Sequence, residues 1–335
     1  MLPALERNRR KLMDTPNLAE LESAASLVYA HMQPSPLLQW PLLRDHCGCD
    51  LWIKHENHNP TGAFKVRGGL VYLSRLAERE PGCEGLVTAT RGNHGQSVAF
   101  AAARHGMHAV VVVPRGNSED KNRAMRALGA ELIVHGDDFD AAIPRAEQLA
   151  AERGLHRMPS FHRDLVTGVG TYALEMFRAQ PELDRVYVPI GLGSGICGVV
   201  SARNALGLDT EIVGVVAASA DAYAQSFLAG EVVTTPTADT MADGMAVRVP
   251  SAQALDIIRA NVARVVAVED AEIGAAMGLL FSTTHNVAEG AGAAPLAALL
   301  QESALNSGAR VAVILSGGNV DRALYSEVLQ SALVD

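Results

Sequence analysis

Several features that would place the chain outside the ordinary soluble globular proteins are missing from it. Its 335 residues hold four cysteines, Cys47, Cys49, Cys83 and Cys197, too few and too irregular for a disulfide framework. Cys47-Gly48-Cys49 lacks the spacing of a zinc-binding pair, so these thiols read as reduced and non-catalytic. No apolar run reaches membrane-spanning length, and Met1 to Asp14 carries Glu6, Arg9, Arg10 and Lys11 where a secretory leader needs an apolar stretch. A cytoplasmic location is the expectation. Basic stripes are missing too: 28 Lys+Arg against 37 Asp+Glu leave a formal net charge of −9, which argues against a nucleic-acid surface. An anionic ligand would therefore need local donors. The histidines, among them His55, His58, His105 and His108, show no ligand spacing, and no metal site is predicted. No repeat or low-complexity linker interrupts the chain.

What remains is an ordinary globular composition, 48% hydrophobic and 19% charged, on a chain long enough for two lobes. Helical spacing runs from Asn17, a capping residue, to Met32. After Pro34 and Pro36 the alternating run Leu51-Trp52-Ile53-Lys54 reads as a strand. Periodicity then predicts strands at 85–89, 108–113 and 130–134 and helices at 95–105, 118–128 and 138–153. A second series follows, with helices at 166–179, from about 196, and at 221–229, 270–280 and 288–306. Its strands fall at 185–190, 211–217, 264–268 and 310–315, before a closing helix. Near-continuous apolar strands alternating with helices predict an α/β fold, with parallel sheets covered on both faces. Such sheets bind ligands where loops leave the carboxyl ends of strands, and the chemistry-bearing stretches all lie there.

Asn59-Pro60-Thr61-Gly62-Ala63-Phe64-Lys65 delivers a lysine from a Pro/Gly turn to a helix start. Flanked by small and apolar residues, such an amine is partly desolvated, which lowers its pKa and makes it a carbonyl nucleophile. Taken alone, a lysine after a glycine turn is far more often a solvated surface charge. Thr90-Arg91-Gly92-Asn93-His94-Gly95-Gln96 offers backbone N–H groups at a helix start, suited to a carboxylate, or is a turn in which Asn93 merely caps its helix. Gly191-Leu192-Gly193-Ser194-Gly195 lets the backbone close around a phosphate. A dinucleotide-binding turn would need an acid ending the next strand, and Val215-Val216-Ala217-Ala218-Ser219 has none. Ser316-Gly317-Gly318-Asn319 sets a hydroxyl at a strand end, or caps a helix. Glu289 is a carboxylate among small apolar residues, either structural or held near a cofactor ring.

These turns, in this order, resemble the fold-type II pyridoxal-phosphate enzymes, and most of all the threonine/serine dehydratases and serine racemases, over residues 35 to 325 or so. The resemblance implies a tryptophan synthase β-like architecture of two open parallel-sheet α/β domains with the active site between them. Residues 1–77 plus 162–335 would form the large cofactor-binding domain and 78–161 a small mobile one. Lys65 would hold pyridoxal 5′-phosphate as a Schiff base and later move the α-proton, with Phe64 beside the ring. Asn93 would hydrogen-bond the 3-hydroxyl, Gly191, Leu192, Gly193, Ser194 and Gly195 would cradle the phosphate, and Ser316 would face the pyridine nitrogen. Thr90, Gly92 and His94 would grip the substrate carboxylate. The implied reaction is a β-elimination of water from an L-3-hydroxyamino acid of the threonine/serine type, releasing a 2-oxo acid and ammonia. A hydroxyl at the ring nitrogen leaves the ring a weaker electron sink than an aspartate would, which favours elimination.

Arg91 departs from the family pattern, because racemases carry a serine there and an always-charged arginine is a poor proton shuttle. It would either bind an extra substrate carboxylate, as in 3-hydroxyaspartate, or pair with a protein acid such as Asp243. Val216-Ala217-Ala218 lacks the glutamate of metal-activated relatives, so no divalent-cation dependence is expected there. The chain does not continue past 335 into a regulatory domain, so inhibition by isoleucine is not expected and a catabolic role is. The partner is a small amino-acid substrate, and a homodimer fits the family. The substrate side chain is expected to meet His162 to Thr167 and Thr240 to Met245. Rivals are a β-replacement enzyme such as a cysteine synthase, a degenerate cofactor-binding protein, and a nucleotide-binding dehydrogenase.

Overall fold

A computed structural model describes residues 13–331. In chain order the first elements are α1 (Leu18–Tyr29), β1 (Leu37–Leu38), α2 (Pro41–Cys47), β2 (Asp50–His55) and α3 (Lys65–Arg79). Next come β3 (Gly85–Ala89), α4 (Asn93–Arg104), β4 (His108–Val113), α5 (Glu119–Ala127), β5 (Glu131–Val134), α6 (Phe139–Arg153) and β6 (His156–Arg157). They are followed by α7 (Arg163–Ala179), β7 (Arg185–Pro189), α8 (Ser194–Ala205), β8 (Glu211–Ala217), α9 (Ala222–Ala229), α10 (Ala252–Asn261) and β9 (Arg264–Val268). The last are α11 (Asp270–Thr284), α12 (Gly290–Gln301), α13 (Ser303–Asn306), β10 (Arg310–Leu315) and α14 (Arg322–Ser331).

The strands form two sheets, a six-stranded one in the order β1-β2-β10-β7-β8-β9 and a four-stranded one in the order β5-β4-β3-β6. All pairings are parallel except the edge pair of β1 with β2. Alternation along β10 shows why both faces must be covered. Val311, Val313 and Leu315 pack with α11 and α12 residues such as Met277 and Leu296, while Ala312 and Ile314 pack with α7 and α8 residues such as Val169 and Val200. The smaller sheet repeats the pattern, with Leu86, Val111 and Val113 against α3 and α4 and with Val87, Val110 and Val112 against α6. Each fully buried Val, Leu or Ile contributes on the order of 1.5–3 kcal/mol, so interdigitation on four sheet faces holds the molecule together.

Local signals set several boundaries. Asn17 and Glu20 form a capping box on α1. Ser118 caps α5, Asp138 caps α6, and α6 ends on the left-handed Gly154. The helix expected over 288–306 is two helices, broken at Glu302. The helix over 252–261 and the short β1 and β6 have no counterpart in the sequence reading. Among the described residues no helix is long and apolar enough to cross a membrane. Cys47 and Cys197 are buried free thiols, and burial pushes Cys47 up to about 12, too high for a reactive thiolate.

Candidate active site

Lys65 is the first residue of α3. The turn before it is stitched to the turn after β10: Phe64 N donates to Ser316 O at 3.0 Å, Gly318 N donates to Gly62 O at 2.9 Å, and Ala63 and Gly317 form an antiparallel bridge. Beneath lies a lattice of charge that the sequence reading missed. The Arg67 guanidinium, 0% exposed, donates to Glu56 at 2.8 and 3.0 Å and to Glu175 at 2.6 and 3.1 Å. Lys54 adds a bond of 2.5 Å to Glu175, and Asn59 of the lysine turn donates to Glu56 at 2.6 Å. The visible signal was two acids and two bases in apolar surroundings, but nothing in their spacing pairs them. The lattice anchors α3, β2 and α7 to one another just below Lys65. The Lys65 amine lies 4.6 Å from the Phe64 ring centroid, and burial holds its pKa down at about 8, opposed by the Glu289 carboxylate.

Opposite Lys65, β7 runs through Gly191-Leu192-Gly193 into α8. Gly193 adopts φ +101°, and a Cβ there would fall 2.5 Å from the Ala254 methyl, so the position requires glycine. The first N–H groups of α8 have no intrahelical acceptor and carry the positive end of the helix dipole. This cradle, Phe64, Lys65, Asn93, Glu289 and Ser316 line one cavity. Ser316 is buried in that wall, and the next helix begins only at Arg322, so it caps nothing.

From the four-stranded sheet comes the turn between β3 and α4. Asn93 is the first residue of α4 but does not cap it. Its Nδ2 donates to Glu289 Oε1 at 2.6 Å, and its Oδ1 accepts from Asn319 Nδ2 at 2.9 Å. Glu289, buried at the head of α12, is therefore part of the site; burial lifts its pKa above the usual carboxylate value against the pull of Lys121. Thr90 Oγ1 accepts from Gly92 N at 3.0 Å, shaping the loop so that the first amides of α4 are free of helix bonds. His94 is buried, and burial with the nearby Lys65 and Arg157 charges lowers its pKa to about 3, so it is neutral at physiological pH; its Nε2 has no partner.

Arg91 and Asp243, the two alternatives for the extra charge, meet each other: Arg91 Nη2 is 3.0 Å from Asp243 Oδ1. Asp243 also receives Lys121 at 3.1 Å. A second cavity of about 620 Å³ adjoins the first, sharing Lys65, Asn93, Leu192 and Gly244 with it. Thr90, Arg91, Gly92, His94, Asp243, Phe139, Ser160 and Val247 contribute to its wall. The expectation for His162 to Thr167 is not met. His162 caps α7 and packs on Tyr72, with ring centroids 5.1 Å apart, and Thr167 turns its hydroxyl back to Arg163 O. Helix packing against α3 claims that stretch, and Ser160 takes its place at the cavity.

An amine of lowered pKa beside a glycine and helix-terminus anion cradle, with a side-chain amide and a hydroxyl converging between two parallel sheets, fits a phosphorylated carbonyl cofactor held on lysine. That is the class of the fold-type II pyridoxal-phosphate enzymes. Residues 28–317 match the family described as Pyridoxal-phosphate dependent enzyme, and the chain belongs to that family. It is 38% identical to the L-threonine ammonia-lyase of Geobacter sulfurreducens over 288 residues, 86% of this chain and 71% of that one. It is 34% identical to the biosynthetic L-threonine dehydratase of Escherichia coli K12 over 297 residues, 88% of this chain and 58% of that longer one. Its fold matches the processed form of threonine deaminase isoform 2 from Solanum lycopersicum with a TM-score of 0.87 at 29% identity, covering 97% of this chain and 93% of that one.

Proposed function

We propose that the protein is an ammonia-lyase that removes water from an L-3-hydroxyamino acid of the threonine/serine type and yields a 2-oxo acid and ammonia. The observation that carries this reading is the Lys65 amine, with its pKa held down at about 8 by burial, at the seam of the two cavities. When bound, pyridoxal phosphate supplies an electron-withdrawing ring that acidifies the substrate's α-C–H bond. Gly191 to Gly195 would hold its phosphate, Asn93 its phenolic oxygen, Ser316 its ring nitrogen, and Phe64 one face of the ring. Lys65 takes the α-proton, because its amine, with the pKa lowered by burial, is the base at that seam. The amides of the Thr90–His94 turn orient the substrate carboxylate, and neutral His94 adds no charge to compete with it.

The relatives named for threonine support threonine as substrate. Since the Arg91 guanidinium is engaged by Asp243, we infer that the wall of Phe139 and Val247 reads the substrate side chain, and that a second substrate carboxylate is not required. Residues 78–161, which hold the four-stranded sheet, are proposed as the smaller, mobile domain on the larger one of 1–77 plus 162–335. A homodimer in the cytoplasm, serving amino-acid catabolism, completes the reading. The test is 2-oxo acid release from L-threonine, L-serine, L-threo-3-hydroxyaspartate and 3-phenylserine by the holoenzyme and by Lys65→Ala. Deamination of threonine or serine with an inactive variant is expected. A reducible lysine-bound cofactor without 2-oxo acid from any of the four would overturn the lyase reading and favour β-replacement.

A further inference from the structure

Lys121 has no part in the proton movements above, and its surroundings are unusual for a lysine. It is 7% exposed and lies on the first turn of α5, beside the four-stranded sheet, yet its acidic partners belong to turns of the other lobe. Its Nζ is 3.1 Å from Asp243 Oδ2 and 3.6 Å from Glu289 Oε2. The stem crosses Gly92, where a Cβ would lie 2.5 Å from Lys121 Cδ, so the glycine of the substrate loop is also what lets the lysine through. The same turn docks at a second point: the Ser118 hydroxyl accepts from Lys121 N at 3.1 Å and donates to the Asp321 carboxylate. Glu289 in turn accepts from Asn93 Nδ2, and Asn319 holds the Asn93 oxygen. That leaves the second Nδ2–H of Asn93 for the cavity.

We propose that Lys121 is a positioning residue: by pairing with Glu289 it keeps that carboxylate an acceptor and so fixes which face of the Asn93 amide meets the cofactor, only while the first turn of α5 is docked. This rests on the reading of Asn93 as a cofactor-facing residue. The charged groups facing Glu289 are Lys121 from α5, Asp243 from the turn before α10, and Lys65 from α3. Arg91 pairs with Asp243, and Asp321 lines the same small cavity as Lys121, Asp243 and Glu289 and acts on the Lys121 charge. Burial and Asp243 push the Glu289 carboxyl towards its neutral form, and Lys121 is the largest opposing charge. Burial also works against the charge on Lys121, but Glu289 and Asp243 outweigh it and hold its pKa above the ordinary lysine value. Docking of α5 thus couples the position of the smaller lobe to the hydrogen bonding of the cofactor.

The experiment is a titration of cofactor absorbance and fluorescence in the holoenzyme from about pH 5 to 9, the range that a raised carboxyl can reach. Wild type, Lys121→Met, Lys121→Arg, Glu289→Gln and the Lys121→Met/Glu289→Gln pair are compared. In Lys121→Met the transition is expected to move up by about one to three pH units, the usual effect of losing an adjacent opposite charge. Lys121→Arg restores most of it, Glu289→Gln abolishes the transition, and adding Lys121→Met to Glu289→Gln changes nothing further. A Lys121→Met profile that overlies wild type, or a shift that survives in Glu289→Gln, overturns the proposal. Should neither Lys121 variant fold, Glu289→Gln decides, since a transition retained there is equally fatal. Failure of the underlying reading is distinguishable, because Asn93→Ala would then leave the cofactor spectrum unchanged at every pH.

Discussion

Replacing Arg67 with methionine tests whether the buried lattice beneath Lys65 works as a unit. The guanidinium is fully enclosed and supplies five of the hydrogen bonds that satisfy Glu56, Glu175 and Ser35. Methionine fills much of the volume but leaves two buried carboxylates with Lys54 as their one remaining lysine or arginine partner among the described residues. Breaking a buried pair from one side costs about 3–5 kcal/mol, since the surviving charge is neither solvated nor matched. At about 2.1 cal/mol/K per residue, 335 residues give an unfolding entropy of roughly 0.7 kcal/mol/K, so the melting temperature should fall by about 4–7 °C. Arg67→Lys, which keeps charge without the bidentate fork, should fall between wild type and Arg67→Met. pH supplies an independent check through Glu175: burial opposes its charged form, but Arg67 and Lys54 outweigh burial and depress its pKa. A depressed carboxyl contributes stability above its unfolded pKa and loses it as pH falls through the folded value. The gap between wild type and Arg67→Met should therefore be widest near neutrality and narrow in acid below about pH 4. Calorimetric melts of the apoprotein across that range, with cofactor occupancy measured alongside, make the comparison. A loss below about 1 kcal/mol, or a gap that widens in acid, would refute the argument, because the lattice would then behave like surface ion pairs.

Other expectations follow from single positions. Capture of cofactor by the apoenzyme should quicken as pH rises and level off above about 8, where Lys65 becomes neutral, and a stopped-flow profile still climbing towards the free-lysine value near 10.4 would contradict the desolvation account. Gly193→Ala forces a left-handed residue against the Ala254 methyl and should destabilise by about 1–3 kcal/mol while weakening cofactor binding, seen as a lower midpoint in urea that added cofactor only partly restores. Arg91→Met removes one of two cations from Asp243, and since the substrate is not proposed to need it, the preference for threonine over 3-hydroxyaspartate should stay within about threefold, an exposed-pair magnitude. A tenfold change in that ratio would assign Arg91 to the substrate instead.

The sequence by itself determined the α/β class and the turns that converge on one cavity, because the information is local. A lysine after a Pro/Gly turn, glycines between an apolar strand and a helix, and a hydroxyl at a strand end each declare a backbone geometry within a few residues. Parallel β/α order then places all those turns at the carboxyl ends of strands. Tertiary structure alone decided who pairs with whom. Whether Arg91 met a ligand or Asp243, whether Glu289 was structural or beside the cavity, and that Lys54, Glu56, Arg67 and Glu175 share one buried lattice depended on contacts up to 196 residues apart, as between Asn93 and Glu289. Side chains paired across that distance leave no periodicity to read. The expectation at His162 to Thr167 has the same origin: none of the stretch lines the cavity, because His162 caps α7 against Tyr72 and the residues from Asp164 on are buried in helix packing, and Ser160 stands at the cavity instead.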